Sequence, residues 1–224
     1  MPSWSRFRRW VGAVTLGELL GFGGIPALGG VLVAAALAGV EDSVRAIALY
    51  VVAIVGGLGE GAVLGWFQQR VLVEWWPGLD RRRYVGHTAV AAAVAWGLGM
   101  LAPTLDDLVG LSLPVQIGLM VAAGLAILPS IGLAQARVLA EVTPRARGWV
   151  GVNVLGWLLG LPWTFVAPAS VPDDAPLWAF VLAFALGGTL MGATVGVVTG
   201  LWLRREPERA GDGAAQGGAP HKPT

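Results

Sequence analysis

Six apolar stretches, each long enough to cross a bilayer, divide this 224-residue chain. A transmembrane helix needs about 20 mainly apolar residues. Residues 11–39, 45–68, 84–103, 112–136, 149–170 and 176–203 meet that length. The breaks between them hold nearly all the formal charge. Arg6, Arg8 and Arg9 precede the first stretch. Arg70, Arg81, Arg82 and Arg83 follow the second, and Arg137, Arg145 and Arg147 follow the fourth. Arg204, Arg205, Arg209 and Lys222 follow the sixth. The alternate breaks carry Glu41, Asp42 and Arg45, then Asp106 and Asp107, then Asp173 and Asp174. Fourteen of the fifteen Lys and Arg residues therefore fall on one side. The positive-inside rule makes that side cytoplasmic, and an even number of spans puts both termini there. The expected fold is an all-α polytopic protein of the cytoplasmic (inner) membrane, with its membrane domain over residues 10–205.

Composition agrees. Hydrophobic residues make up 55% and charged residues 13%, where about 25% charged is usual for soluble domains, and the mean hydropathy is +0.68. The net charge of +1 implies no nucleic-acid partner; the partner to expect is the lipid bilayer, with a second copy or another membrane protein open as a further one. Cysteine is absent, which excludes disulfides, thiol nucleophiles and thiolate metal sites. His87 and His221 alone do not make a metal centre, and no cofactor is expected. The Arg, Ala, Gly and Val bias suggests a GC-rich bacterial coding sequence. The start resembles a signal peptide, but its apolar run is about twice the usual length, so it reads as a retained first helix behind a cytoplasmic segment 1–9. The Gly/Ala/Pro-rich tail 206–224 lacks the apolar residues to fold and is expected to be disordered.

The chain repeats itself. Trp10 to Gly21 reads WVGAVTLGELLG and Trp149 to Gly160 reads WVGVNVLGWLLG. Tyr84 opens a third copy, YVGHTAVAAAVAWG. The second helix of each pair carries its own phrase. Gly57 to Leu72 and Gly124 to Leu139 agree at Gly65/Gly132, Gln68/Gln135, Arg70/Arg137 and Leu72/Leu139, and Gly192 to Leu203 aligns with Gly61 to Leu72. Three helical hairpins result, over 10–80, 84–147 and 149–205. A two-helix unit begins and ends on one side, so successive units are parallel and related by an axis along the membrane normal.

Glycines specify how these helices pack. Gly57, Gly61 and Gly65, and then Gly188, Gly192, Gly196 and Gly200, recur every four residues. That spacing puts them on one helix face, where missing side chains let backbones approach. Gly23, Gly97 and Pro162 fall at equivalent points of the odd helices, and Pro26 and Pro162 each remove a helical hydrogen bond, so kinks are expected in spans one and five.

The pattern Gly-x-x-Gln-x-x-Val/Leu-Leu followed by Trp-Val-x-x-Asn-x-x-Gly-Trp is carried here by Gly132, Gln135, Val138, Leu139, Trp149, Val150, Asn153, Gly156 and Trp157. It resembles a group of uncharacterised bacterial multi-pass membrane proteins with such repeated hairpins. The likeness covers most of spans two to five and implies no particular activity. The chain departs from it at Gln69 and Ala136, where the group has Trp, and at Val73 and Ala140, where it has Arg.

Two carboxylates lie within the apolar stretches. Glu18 is eight residues past Trp10, roughly 12 Å deep, and Glu60 is ten residues before Arg70, roughly 15 Å from the same face. A charge near the bilayer centre costs about 2.5–3.5 kcal/mol, so such residues are functional candidates. Their repeat equivalents are Ala92 and Trp157, and Ile127 and Met191. Hairpin one is thus chemically distinct, and its acids are candidates to bind an ion or substrate. The competing reading has each Glu neutral or bonded to a backbone group freed near Pro26. Gln68, Gln135 and Thr199 form an interhelical polar ring nearer the cytoplasmic face. Arg70 and Arg137 are expected to reach the headgroups, His87 to lie at the interface, and Trp10, Trp66, Trp75, Trp76, Trp149 and Trp202 to form an aromatic belt.

An enzyme is not expected: there is no H-E-x-x-H, no Ser/His pair at membrane depth and no phosphate-binding loop. Two classes remain. The glycine faces and scarce polar groups favour a non-catalytic membrane-embedded packing or interaction component. The alternative is a small-solute or cation/proton-coupled permease using Glu18 and Glu60.

Overall fold

The computed structural model describes residues 2–24, 28–172 and 174–205. Pro26, Asp173, Arg209, His221, Lys222 and the expected tail 206–224 lie outside them. Every regular element among the described residues is a helix: α1 (Pro2–Gly21), α2 (Leu28–Ala36), α3 (Asp42–Leu72), α4 (Arg81–Val109), α5 (Leu113–Leu139), α6 (Ala146–Gly160), α7 (Pro162–Ala169) and α8 (Leu177–Leu203). Five of these runs are long and apolar enough to cross a membrane: α3, α4, α5, α6 with α7, and α8.

The first expected span differs. Its helix starts at Pro2 and runs through the basic residues before Trp10. Arg9 pairs with Glu74 at 2.7 Å and Arg6 lies 5.3 Å over the Trp75 ring, which fixes the first turns to the end of α3. The helix then breaks after Gly21. Gly23 and Gly24 form a wider π turn, and α2 resumes at Leu28. The fifth span is also interrupted, at Leu161 before Pro162, which cannot donate to the preceding turn. No such break occurs at Gly97. There α4 runs on through Pro103 to Val109, past the expected end at 103, and Gly110 closes it with φ +65°. The exposed Pro103 ring faces away from the bundle, so the helix tolerates it.

The helices close into a ring in chain order. α1 packs on α3, α3 on α4, α4 on α5, α5 on α6, α6 on α8 and α8 back on α1. Among the described residues no backbones approach across the ring, and large side chains fill its centre. Trp10, Tyr84, Trp149, Leu72, Leu139 and Leu203 are all fully buried there. α2 and α7 continue the first and fifth rods on the far half.

Glycine sets the tight contacts. Gly57, Gly61 and Gly65 face α4, and Gly188, Gly192, Gly196 and Gly200 face α1. A Cβ on Gly61 would sit 2.6 Å from the Thr88 carbonyl oxygen and 2.7 Å from the Ala89 Cα. Backbone cannot yield as a side chain can. Gly61→Ala is therefore expected to destabilise the fold by about 1–3 kcal/mol. Gly151→Ala, at a site with open space around it, should be neutral or slightly stabilising. Thermal unfolding in detergent or nanodiscs checks both, and equal melting temperatures for the two variants would refute the packing assignment.

Candidate functional site

Two polar layers lie inside the ring. The first sits near the face that carries the start of α1 and the end of α8. Here three aromatic side chains at matching places in the three sequence phrases each donate to a polar side chain on the last long helix of another hairpin. Tyr84 Oη donates to Gln68 Oε1 at 3.0 Å, Trp149 Nε1 to Gln135 Oε1 at 2.8 Å, and Trp10 Nε1 to Thr199 Oγ1 at 2.9 Å. Gln135 Nε2 also donates to Gln68 Oε1 at 2.8 Å and to Thr88 Oγ1 at 3.1 Å. The structure thus joins Gln68 to Gln135 directly but leaves Thr199 bonded to neither. Thr199 connects through Trp10, whose ring meets Trp149 edge-on at 5.7 Å. Trp10 and Trp149 are consequently not part of an interfacial belt: their N–H groups have partners inside, so burial leaves no orphaned donor. Trp66 does face outward, with Arg70 3.5 Å over its ring. His87 bonds the Arg83 carbonyl through Nδ1, and Arg137 is exposed.

The second layer lies about two helical turns deeper. Glu18 on α1 is 0% exposed and Glu60 on α3 is 5% exposed. Glu60 packs against Gly21, one turn past Glu18 on α1, while Glu18 packs against Gly192 of α8. The two carboxyl groups are direct neighbours. Glu60 Oε2 accepts from Trp96 Nε1 of α4 at 2.5 Å. Apart from the Glu60 carboxyl, with which it can share a proton, neither Glu18 oxygen has a hydrogen-bond partner among the described residues, and no backbone donor near the break after Gly21 reaches it. No salt bridge reaches either acid there, and no group of three metal-ligating side chains exists there.

Two desolvated carboxylates cannot both stay charged side by side without compensation. A proton or a cation between them supplies it. Aromatic rings roof this layer: Phe22, one turn past Glu18, stacks on Trp96 with centroids 5.9 Å apart and lies 6.3 Å from Phe184. Trp157, which the repeat aligns with Glu18, is buried with its Nε1 unpartnered.

Glu18 and Glu60 were legible in the sequence as charges at matching depth. Tyr84, Thr88, Trp96 and Phe22 were not. Each is an ordinary membrane-helix residue until its partner is known, although Tyr84 standing where the other two phrases have Trp was a signal of shared position.

No family model, no curated protein and no solved structure matches this chain.

Gln135 is the hub of the first layer, so Gln135→Leu strands the Trp149 N–H and removes a donor from Gln68. It should destabilise by about 1–3 kcal/mol. Thr199→Val strands only the Trp10 N–H and should cost less. Melting temperatures in one detergent rank the two, and the reverse order would show that Gln135 is not the hub.

Proposed function

We propose that this is a six-span membrane protein with both termini cytoplasmic, built from three hairpins about a threefold-like axis, and that Glu18 and Glu60 form the site of a proton- or cation-coupled permease. The bacterial inner membrane is its proposed location. The first span in this reading is α1 with α2, whose arginines lie at the membrane surface. The threefold reading is supported by the hydrogen bonds above, which run in the same sense from each hairpin to the one before it and from the first to the third. It is supported again by backbone approaches: a Cβ on Gly65 would lie 3.1 Å from Val85 Cα, on Gly132 3.2 Å from Val150 Cα, and on Gly196 3.1 Å from Val11 Cα. Within two hairpins an Arg–Glu pair recurs at aligned positions, Arg9–Glu74 and Arg83–Glu141, each 2.7 Å long.

The observation that carries the function is the Glu18 carboxyl, fully buried beside Glu60 with no partner other than that acid. At the positions that the sequence phrases align with Glu18 stand Ala92 and Trp157, so the fold does not call for an acid there. The packing-component reading rests on the glycine faces, and helices of the same chain occupy those faces. A site that exchanges a proton or cation is the better account of the acids.

Topology is tested with single cysteines, since the chain has none of its own. Cysteines at Asp107 and Asp174 should react with an impermeant thiol reagent added to intact cells, and those at Arg82 and Arg147 should react only after lysis. The opposite pattern would invert the protein in the membrane.

The site is tested in proteoliposomes loaded with a pH-sensitive dye. The parent should dissipate an imposed pH gradient faster than empty vesicles. Glu18→Gln and Glu60→Gln keep size and hydrogen-bonding capacity, and each should return the rate to that of empty vesicles with the protein still folded. Rates equal to the parent in both variants would leave the packing component as the reading to hold.

A further inference from the structure

The carboxyl pair carries information about what it takes. Its surroundings supply few oxygens. Around Glu18 and Glu60 stand Gly21, Gly192, the indole N–H of Trp96 and the ring of Phe22. The Glu18 carbonyl already accepts from Phe22 N in the helix. A dehydrated divalent metal ion asks for about six oxygen ligands, and no third metal-ligating side chain joins the pair among the described residues. An ammonium ion with organic substituents asks for something else: one or two carboxylates for its charge, and aromatic faces and apolar surface for the rest. Trp96 bonds Glu60, Phe22 stacks on Trp96 one turn past Glu18, and Phe184 lies beside Phe22.

Access fits an organic body as well. Compared with the half that holds the glutamines, fewer residues are enclosed by protein on the half beyond the carboxyls. There α2 has no buried residue, α5 has none before Ile131, and α7 has only Thr164. The backbones of α5 and α7, the fourth and fifth rods on that half, do not approach each other closely. The roof of Phe22, Trp96 and Phe184 faces this half, because Phe22 lies past Glu18 toward the break in the first rod.

We propose that the Glu18–Glu60 site binds an organic ammonium ion, with the charge held between the two carboxyls and the apolar body against Phe22, Trp96 and Phe184. The proposal rests on the reading of the carboxyl pair as a site and goes further by naming the ligand class. One ammonium takes the place of one proton, so the charge of the occupied layer is unchanged and the released proton leaves to solvent.

The test uses the full chain in lipid nanodiscs, with benzyltrimethylammonium as the organic probe and sodium or potassium chloride as the inorganic ones. Heat of binding and tryptophan fluorescence are recorded at constant ionic strength. Saturable binding of the ammonium is expected, with no saturable signal from sodium or potassium. Glu18→Gln or Glu60→Gln should weaken it at least about tenfold. Phe22→Leu, which keeps both acids, should weaken it about three- to tenfold. The variant carrying both Gln substitutions measures partition of the probe into lipid, and binding to it as tight as to the parent overturns the proposal. Should the Gln variants not fold, a benzylammonium bearing a photoreactive diazirine is crosslinked to the parent. Adducts on Phe22, Trp96 or Phe184 support the site, and adducts confined to the lipid-facing residues of α5 overturn it. If proton flux depends on Glu18 and Glu60 but the parent binds no ammonium, this inference fails and the proton site stands. If substitution changes neither flux nor binding, both fail.

Discussion

The close approach of backbones at glycine is the contact on which this structure depends. Lipid tails are as apolar as the helices they surround, so burying leucine against leucine gives little reason for two helices to associate. Dispersion between closely packed atoms gives more, and it needs helices nearly in backbone contact. The glycine columns of α3 and α8 provide that for α4 and α1. Everything polar inside the ring is held by the same contacts. Glu18 is set against Gly192 and Glu60 against Gly21, so the acids meet because α1 is clamped between α3 and α8.

Ring closure needs a second device, because six helices around an axis leave a central volume that their backbones do not reach. Trp10, Tyr84 and Trp149 fill it near one face, and each brings a polar hydrogen that must find an acceptor. Gln68, Gln135 and Thr199 supply the acceptors. The two devices weaken together on the other half. At Gly118 and Gly124 of α5 a methyl group would meet nothing within 4 Å, and α7 is only a short continuation of α6. The carboxyl layer itself stays buried, and the less enclosed part of the bundle lies beyond its aromatic roof.

Much of this was legible in the letters. Apolar runs of the right length read directly as helices because the bilayer imposes one length scale, and five of them stand in the fold. Glycine every four residues read as close packing because helix geometry allows few other uses. The extent of α4 was hidden: Pro103, Asp106 and Asp107 read as an end, yet the proline points outward, Asp107 is exposed and Asp106 accepts from Leu111 N past the last turn, all of which suit a helix end. The direction of Trp10 and Trp149 was also hidden, since tryptophan suits both an interface and a core with an acceptor in reach. Their acceptors lie on helices distant in sequence, at separations of 189 and 14 residues, and no local pattern encodes the first. The acids were found by charge alone, but Trp96 as donor to Glu60 required the packing of α3 on α4.

The aligned sequence phrases bear on the acids. Gly61 of α3 approaches α4 so that its Cβ would lie 2.7 Å from the Ala92 Cβ, and Gly192 of α8 approaches α1 so that its Cβ would lie 2.7 Å from the Glu18 Cβ. Gly61 and Gly192 are aligned in the sequence phrases, and so are Ala92 and Glu18. The same backbone contact therefore forms whether the residue opposite the glycine is an alanine or a glutamate. Packing does not call for the carboxyl. Nor does a bond to any other part of the fold, since the Glu18 oxygens have no partner except the Glu60 carboxyl. An acid in the membrane carries a cost of a few kcal/mol, and hairpin one bears it twice, at adjacent positions on two helices, where the other hairpins use alanine, tryptophan, isoleucine and methionine. In the proposed reading, a proton or cation held between the two carboxyls offsets both costs at once, beyond what the Trp96 N–H supplies to Glu60 alone.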